Sequence, residues 1–218
     1  MADMHHSLTI ADEREAVRRC AEGDQQSTGL LYDAYVARLY RYCLTRVGNE
    51  SDAEDLAEEI FIKALGAINR FEWRDLGSNE RSPFGAWLFR IAHNQVASHH
   101  RRAAVRGPSF EVPEWIPDED RGPAELAEIQ LTIEEVFALV EELPDAQREV
   151  IRLRFGAGLN VAETAEALDK RLSNVKVLQH KAVKRLRQLL AAKMATSSEV
   201  SIDGEPAKAG SDRGQATR

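Results

Sequence analysis

KRLSNVKVLQHKAVKRLRQLLAAK, Lys170 to Lys193, holds eight Lys or Arg, one His and no acid, in a chain whose formal charge is -7. Within it Val175, Leu178, Ala182 with Val183, Leu186 and Leu189 recur at helical spacing, the stripe of a helix that buries one side. Arg171, Ser173, Asn174, Lys176, Val177, His180, Lys181 and Lys184 fall off that stripe or at its edges. Just upstream, NVAETAEAL reads as a helix capped by Asn160, with Glu163 completing a capping box. A short turn, DKR, joins the two. Two helices so joined, the second cationic, make the plan of a helix-turn-helix DNA reader. On that plan Arg171, Ser173 and Asn174 enter the major groove, where Asn pairs with adenine and Arg or Lys with guanine. The later cations hold phosphates and set register. A Lys-rich helix can also be a solvated face and no more; the capped partner helix and the acid-free run weigh against that.

Working outward, the pattern is helical nearly throughout, with no alternating β-branched run and no Asn-Gly or Asp-Gly hairpin signal. ADEREAVRRCAEG is a short helix stopped by Gly23, and Asp24 is placed to cap the next. Leu31, Tyr35, Leu39, Tyr42 and Val47 recur at helical spacing as far as Gly48. A third helix, capped by Ser51 or Asp52, carries Leu56, Ile60, Lys63 and Leu65 to about Asn69, its early acids suiting the positive end of the helix dipole. FEWRDLGSNERS is a polar loop. Ser82 before Pro83 starts a helix running to about Ala104, with Trp87, Ile91 and Val96 or Gln95 inward.

RGPSFEVPEWIPDEDRGP, residues 106 to 123, contains four of the seven prolines and reads as an extended linker. A second domain follows: a helix from about Ala124 to Glu142, then one opened by Pro144 that carries Val150, Ile151 and Phe155 and is broken by Gly156 and Gly158. After Met194 the composition suggests a disordered tail. The expected organisation is an all-α protein of two small helical domains, 1–104 and 124–194, joined by a linker at 105–123 and followed by a tail at 195–218.

Charge is distributed unevenly. Trp87 to Arg106 carries four Arg, three His and no acid, whereas Gly107 to Glu142 carries eleven acids against the single Arg121. Two basic blocks thus flank an acidic middle, which points to partners rather than to fold. No apolar run is long enough for a membrane span, and the N-terminus lacks the pattern of a secretory signal. Cys20 and Cys43 form no metal-like or redox-like pair, so both are expected in the core of a protein in a reduced, cytoplasmic setting. His93, His99 and His100 are not three or four apart and have no Cys nearby, so a zinc site is not expected. With no Gly-rich phosphate loop, nucleophile motif or metal-ligand spacing, neither an enzyme nor a cofactor is expected.

Four stretches, in order, resemble one family. LYDAYVARLYRYCLTRVGNESDAEDLAEEIFIKAL and FGAWLFRIAHNQVASHHRR lie in the first half; LPDAQREVIRLRFGAGLNVAETAEAL and NVKVLQHKAVKRLR lie in the second. Together they resemble the extracytoplasmic-function (ECF) group of bacterial RNA polymerase sigma factors. The resemblance implies an initiation factor whose first domain docks on core RNA polymerase and opens promoter DNA at the minus-10 element. The second domain would read the minus-35 element as duplex. It further implies that Asp52, Glu54, Asp55, Glu58, Glu59 and Phe61 bind the polymerase clamp helices. Arg90, Asn94, His99, Arg101 and Arg102 would follow the minus-10 strand, with a base flipped into the loop at Trp73 to Ser82. Trp87 and Phe89 suggest stacking on bases, but Trp87 shares the apolar stripe and is read as core. The acidic linker would thread toward the polymerase active site, or serve as a plain tether. An anti-sigma protein is the expected inhibitory partner.

This chain departs from the family pattern at Glu58, commonly Gln, at Ser98, commonly Asp, and at Asp169, commonly Gly, while KRLSN replaces a commoner Ser-Glu-Gly run. Asp tolerates a left-handed turn better than most residues, so the fold is expected to survive; what these departures leave open is promoter preference at the upstream element. A conventional helix-turn-helix regulator acting without polymerase, and an adaptor whose basic helix meets an acidic partner, are the alternatives these residues leave open.

Overall fold

The computed structural model describes residues 8–74, 82–103 and 138–200, and among these the regular structure is entirely helical. The expected linker at 105–123, most of the expected helix from Ala124, and residues 201–218 lie outside the described residues.

In the first half, α1 (Ile10–Ala21) is capped by Thr9, whose hydroxyl accepts from the Asp12 amide. The chain turns at Gly23, φ 91°, and Asp24 caps α2 (Gln25–Val47), which ends at Gly48 in the left-handed conformation, φ 78°. Only a residue without Cβ adopts that conformation at little cost. The cap of α3 (Glu50–Ala67) is Asn49, rather than the expected Ser51 or Asp52, which lie inside the helix. Asn49 Oδ1 accepts from the Asp52 amide at 2.8 Å, and its amide donates back to the Asp52 carboxylate at 2.9 Å. This reciprocal pairing satisfies an orphan donor one turn earlier than composition suggested. A 3-10 turn at Ile68–Arg70 closes the helix. The fourth helix, α4 (Pro83–Ala103), begins as expected: Ser82 Oγ accepts from the Gly85 amide at 2.6 Å.

Leu31, Leu39, Tyr42, Cys43, Ile60, Leu88, Phe89, Ala92 and Val96 are fully buried where these helices meet. Trp87 packs in an aromatic group with Phe71 and Phe84, at 5.1 and 5.7 Å between ring centres, in keeping with its reading as core. Cys20 and Cys43 are both buried and free, and burial pushes the Cys43 thiol up to about 12.

The second half opens with a helical segment at 138–141, then α5 (Asp145–Ile151), which widens into a π turn at Arg152–Gly156. Gly158, φ 68°, redirects the chain into α6 (Val161–Ala167), where the Asn160–Glu163 capping box is present as read from sequence. Asp169, φ 51°, is the one described residue other than Gly with positive φ. It makes the turn into α7 (Leu172–Val200). That helix continues past Met194, where a tail was expected to begin; no Gly or Pro occurs before Gly204, and Ala, Ser and Glu all accommodate helix.

The two halves share one core. Leu153, Ala157, Leu159 and Ala167 join the cluster built by α1 to α4, while Val140, Leu143, Ile151 and Ala182 form a separate small cluster under α7.

Candidate nucleic-acid interface

The capping box fixes the start of α6, and the left-handed Asp169 sets the angle at which α7 leaves it. Val175 and Ala182 are fully buried, with Val183 and Leu186 half-buried against Val140, Leu143 and Ile151. Taking about 100° per residue, Ser173, Asn174, Val177, His180, Lys181 and Lys184 occupy one arc of roughly 120°, with Lys176 at its edge. All of these, and Arg171, are exposed. The buried stripe lies on the opposite side. Val177, 51% exposed, is an apolar side chain among cations, suited to contact with a thymine methyl.

On α4 the predicted residues divide. Arg90, Asn94 and Arg101 are exposed and fall within roughly 40° of one another around the helix. Ser98 donates to the Asn94 carbonyl and receives the Arg101 guanidinium, both at 2.9 Å, so the Ser found where Asp is common lies directly beside this row. Arg102 is exposed but rotated away, its Nε reaching back to the Ser98 carbonyl at 3.4 Å. His99 points roughly opposite Arg90, and its Nδ1 is buried without a hydrogen-bond partner. The row therefore brings together three of the five. Residues 75–81, most of the loop expected to hold a base, lie outside the described residues; Trp73 at its edge is half-buried with Arg14 over its ring at 5.9 Å.

On α3, Asp52, Glu54, Asp55, Glu58 and Glu59 are exposed. Phe61, expected on this face, is instead 4% exposed and packs edge-on against Tyr32 at 5.2 Å. Its neighbour Ile62 takes the outward position, 68% exposed, one turn or two from Asp55, Glu58 and Glu59. Sequence reasoning missed Ile62 because Phe61 and Ile62 are both apolar; only the burial of Ala53, Leu56, Ala57, Ile60 and Ala64 fixes which one faces out. Glu59 receives the Gln95 amide at 3.3 Å, and Gln95 in turn receives Lys63 at 2.7 Å, tying this face to α4.

Models of two sigma-factor domains match this chain: sigma-70 region 2 over residues 31–106 and sigma-70, region 4 over residues 139–188. The ECF RNA polymerase sigma factor ShbA of Streptomyces griseus is 38% identical over 184 residues, covering 79% of this chain and 92% of its own. The chain belongs to the ECF sigma factors. BldN of Streptomyces coelicolor, also an ECF RNA polymerase sigma factor, is 36% identical over 181 residues, covering 81% of this chain and 65% of its own length. Among solved structures, CnrH in complex with the cytosolic domain of CnrY superposes with a TM-score of 0.61 at 25% identity, covering 83% of this chain and 97% of CnrH.

In this sigma factor the region 2 match contains the α3 acids and the α4 row, and the region 4 match contains α6 and the basic arc of α7. Among the described residues no group of His, Cys, Asp or Glu is arranged to hold a metal ion, and no helix is long and apolar enough to cross a membrane.

Proposed function

We propose that this sigma factor binds core RNA polymerase through the acidic face of α3 and selects promoters with the two cationic helices. In this reading residues 1–104 act on polymerase and the minus-10 element, and residues 124–194 read the minus-35 duplex. The linker at 105–123 connects them. One observation carries the reading: the eight side chains predicted for this element, Arg171 just before α7 and seven on it, are all exposed, and six of them share the arc opposite the stripe that packs on the second core. Arg171, Ser173 and Asn174 stand at the N-terminal end of α7, where bases are read; Lys176, Lys181 and Lys184 hold phosphates. Arg90, Asn94 and Arg101 form the minus-10 row. The chain contributes binding energy and position, while the polymerase performs the chemistry.

Asp55, Glu58 and Glu59 around exposed Ile62 make a small apolar spot rimmed by carboxylates, fitted to a basic helical partner. An anti-sigma protein that covers these surfaces is the proposed inhibitor; the similar CnrH is solved in complex with the cytosolic domain of another protein, CnrY.

The test is reconstitution. Purified chain added to core polymerase is expected to form a stable complex and give run-off transcripts from a subset of promoters. Ile62→Asp is expected to abolish the complex, and Arg90→Ala with Asn94→Ala to abolish transcripts while sparing it. No complex and no transcript from any promoter would reject the reading; a palindromic footprint by a homodimer without polymerase would favour the helix-turn-helix regulator.

A further inference from the structure

One apolar side chain of α7 stands where folding gives no reason for it. Val177 is 51% exposed, and around the helix it lies about 160° from the fully buried Val175. Two other apolar residues of α7 are exposed, but both continue the buried stripe: Leu172 lies about 60° from Val175, and Leu190 about 20° from half-buried Val183. Val177 instead has Ser173, Asn174, His180 and Lys181 as its neighbours at helical spacing, all of them exposed. A β-branched residue is a poorer helix former than Ala, and here it leaves half its surface in water. The centre of a polar and cationic arc is thus occupied by a bare isopropyl group.

We propose that Val177 reads the C5-methyl group of a pyrimidine, so that the duplex bound by α7 carries thymine or 5-methylcytosine at one position. The inference rests on the reading of α7 as the duplex-binding helix. Every base pair presents hydrogen-bond donors and acceptors in the major groove, and the thymine methyl is the one apolar group among them. A valine pressed against a donor or acceptor strips its water and returns no hydrogen bond, which is costly. Against a methyl, both surfaces leave water together. Val177 therefore favours the methyl and penalises the bare polar edge. Cytosine methylated at C5 places the same group at the same point of the groove, on a G·C pair. Residues three apart on a helix have Cβ atoms roughly 5–6 Å apart, and base pairs stack about 3.4 Å apart. The methyl thus falls within about two base pairs of the base that Asn174 contacts. Lys181 and its fellow cations supply affinity for any duplex, and Val177 adds a choice among duplexes.

The experiment uses the full chain on core polymerase, with a promoter duplex found by the reconstitution above. Each thymine of the upstream element is replaced in turn by deoxyuridine, which lacks only the methyl, and each cytosine by 5-methylcytosine. Binding is read by competition. If thymine is the source, uracil at one position lowers wild-type affinity by about fourfold, the worth of one buried methyl. If cytosine stands there, its methylation raises affinity by about the same factor. Val177→Ser is expected to bind the methylated and unmethylated duplexes alike at that position, whereas Val177→Thr, which keeps one methyl, retains the preference. Wild-type binding insensitive to the methyl at every position, or Val177→Ser as sensitive as wild type, would overturn the proposal. So would loss of helical circular dichroism in Val177→Ser, which would make Val177 a packing residue. A complex that initiates equally well without the upstream element would overturn the duplex reading of α7 itself, and this proposal with it.

Discussion

The arc of α7 and the cluster around Glu149 hold the same kinds of residue in opposite states. Lys176, Lys181 and Lys184 stand in water, and among the described residues none of them makes an ion pair. Arg46 and Arg152 are out of water and held by Glu149, with Glu141 completing the set. A solvated cation retains its counterions and releases them to an incoming phosphate, so it contributes to binding and little to folding. A buried cation has no such reserve. It must be matched within the protein, and its worth appears only when the match is broken. The difference separates charge directed at a partner from charge directed at the closed fold.

The largest effect that would break the comparison is on the buried side. Glu149→Ala leaves Arg46 and Arg152 without their shared carboxylate, and the expected loss is about 3 kcal/mol of unfolding free energy in urea titration. A loss below about 0.5 kcal/mol, the range of ordinary surface changes, would show that the cluster is not holding the structure.

On the solvated side, changing Lys176, Lys181 and Lys184 together to Ala is expected to leave the urea midpoint nearly unchanged. Its effect falls on duplex binding by the polymerase complex. If each Lys holds one phosphate, the log–log dependence on salt becomes shallower by about 2.7, at about 0.9 per contact. An unaltered slope would move these cations back to the class of solvated faces.

What was legible in the sequence follows the same division. Local signals were read correctly: the stops at Gly23 and Gly48, the Asp24 and Ser82 caps and the Asn160–Glu163 box depend on residues within about one helical turn, and the α7 stripe on steps of three or four residues. The near misses were local too. Asn49 competes with Ser51 and Asp52 for one cap, and Phe61 competes with Ile62 for one outward position. The charge cluster around Glu149 was not legible at all. Arg46 and Glu149 are 103 residues apart, and each in isolation reads as an ordinary helix-surface charge. Nor did Glu163's second role show: its capping box is written in NVAE, but the Ser82 amide it also satisfies comes from 81 residues upstream. Periodicity reports which side of a helix is apolar. It is silent on which distant charge will meet it there.

Smaller in effect is the turn that aims the α7 arc. Asp169 is held at φ 51°, a conformation costing an ordinary side chain roughly 1–2 kcal/mol. Asp169→Val should therefore lower stability by about 1 kcal/mol, and Asp169→Gly should hold or raise it slightly. If the two variants melted together, the turn would not be under the strain its φ implies.

The smallest effect concerns a carboxyl on the buried side that no cation pairs closely. Glu13 sits at the boundary, receiving the Tyr35 hydroxyl and Ser82 Oγ, the latter at 2.9 Å, with its Oε2 buried and unpartnered. Burial raises its pKa above the usual carboxylate value, hydrogen bonds from Tyr35 and Ser82 oppose this, and the nearby Glu163 raises it further. The folded chain thus holds this proton more tightly than the unfolded chain does. Ionised Glu13 weakens the fold above its folded pKa, and that penalty fades as pH falls through it toward the unfolded value near 4.5. Glu13→Gln is uncharged throughout, so its melting temperature should gain on wild type near pH 7 and lose that gain by pH 4.5. A difference between the two proteins that stayed constant over the range would mean that Glu13 is ionised at no stability cost, matched like Glu149 rather than tolerated.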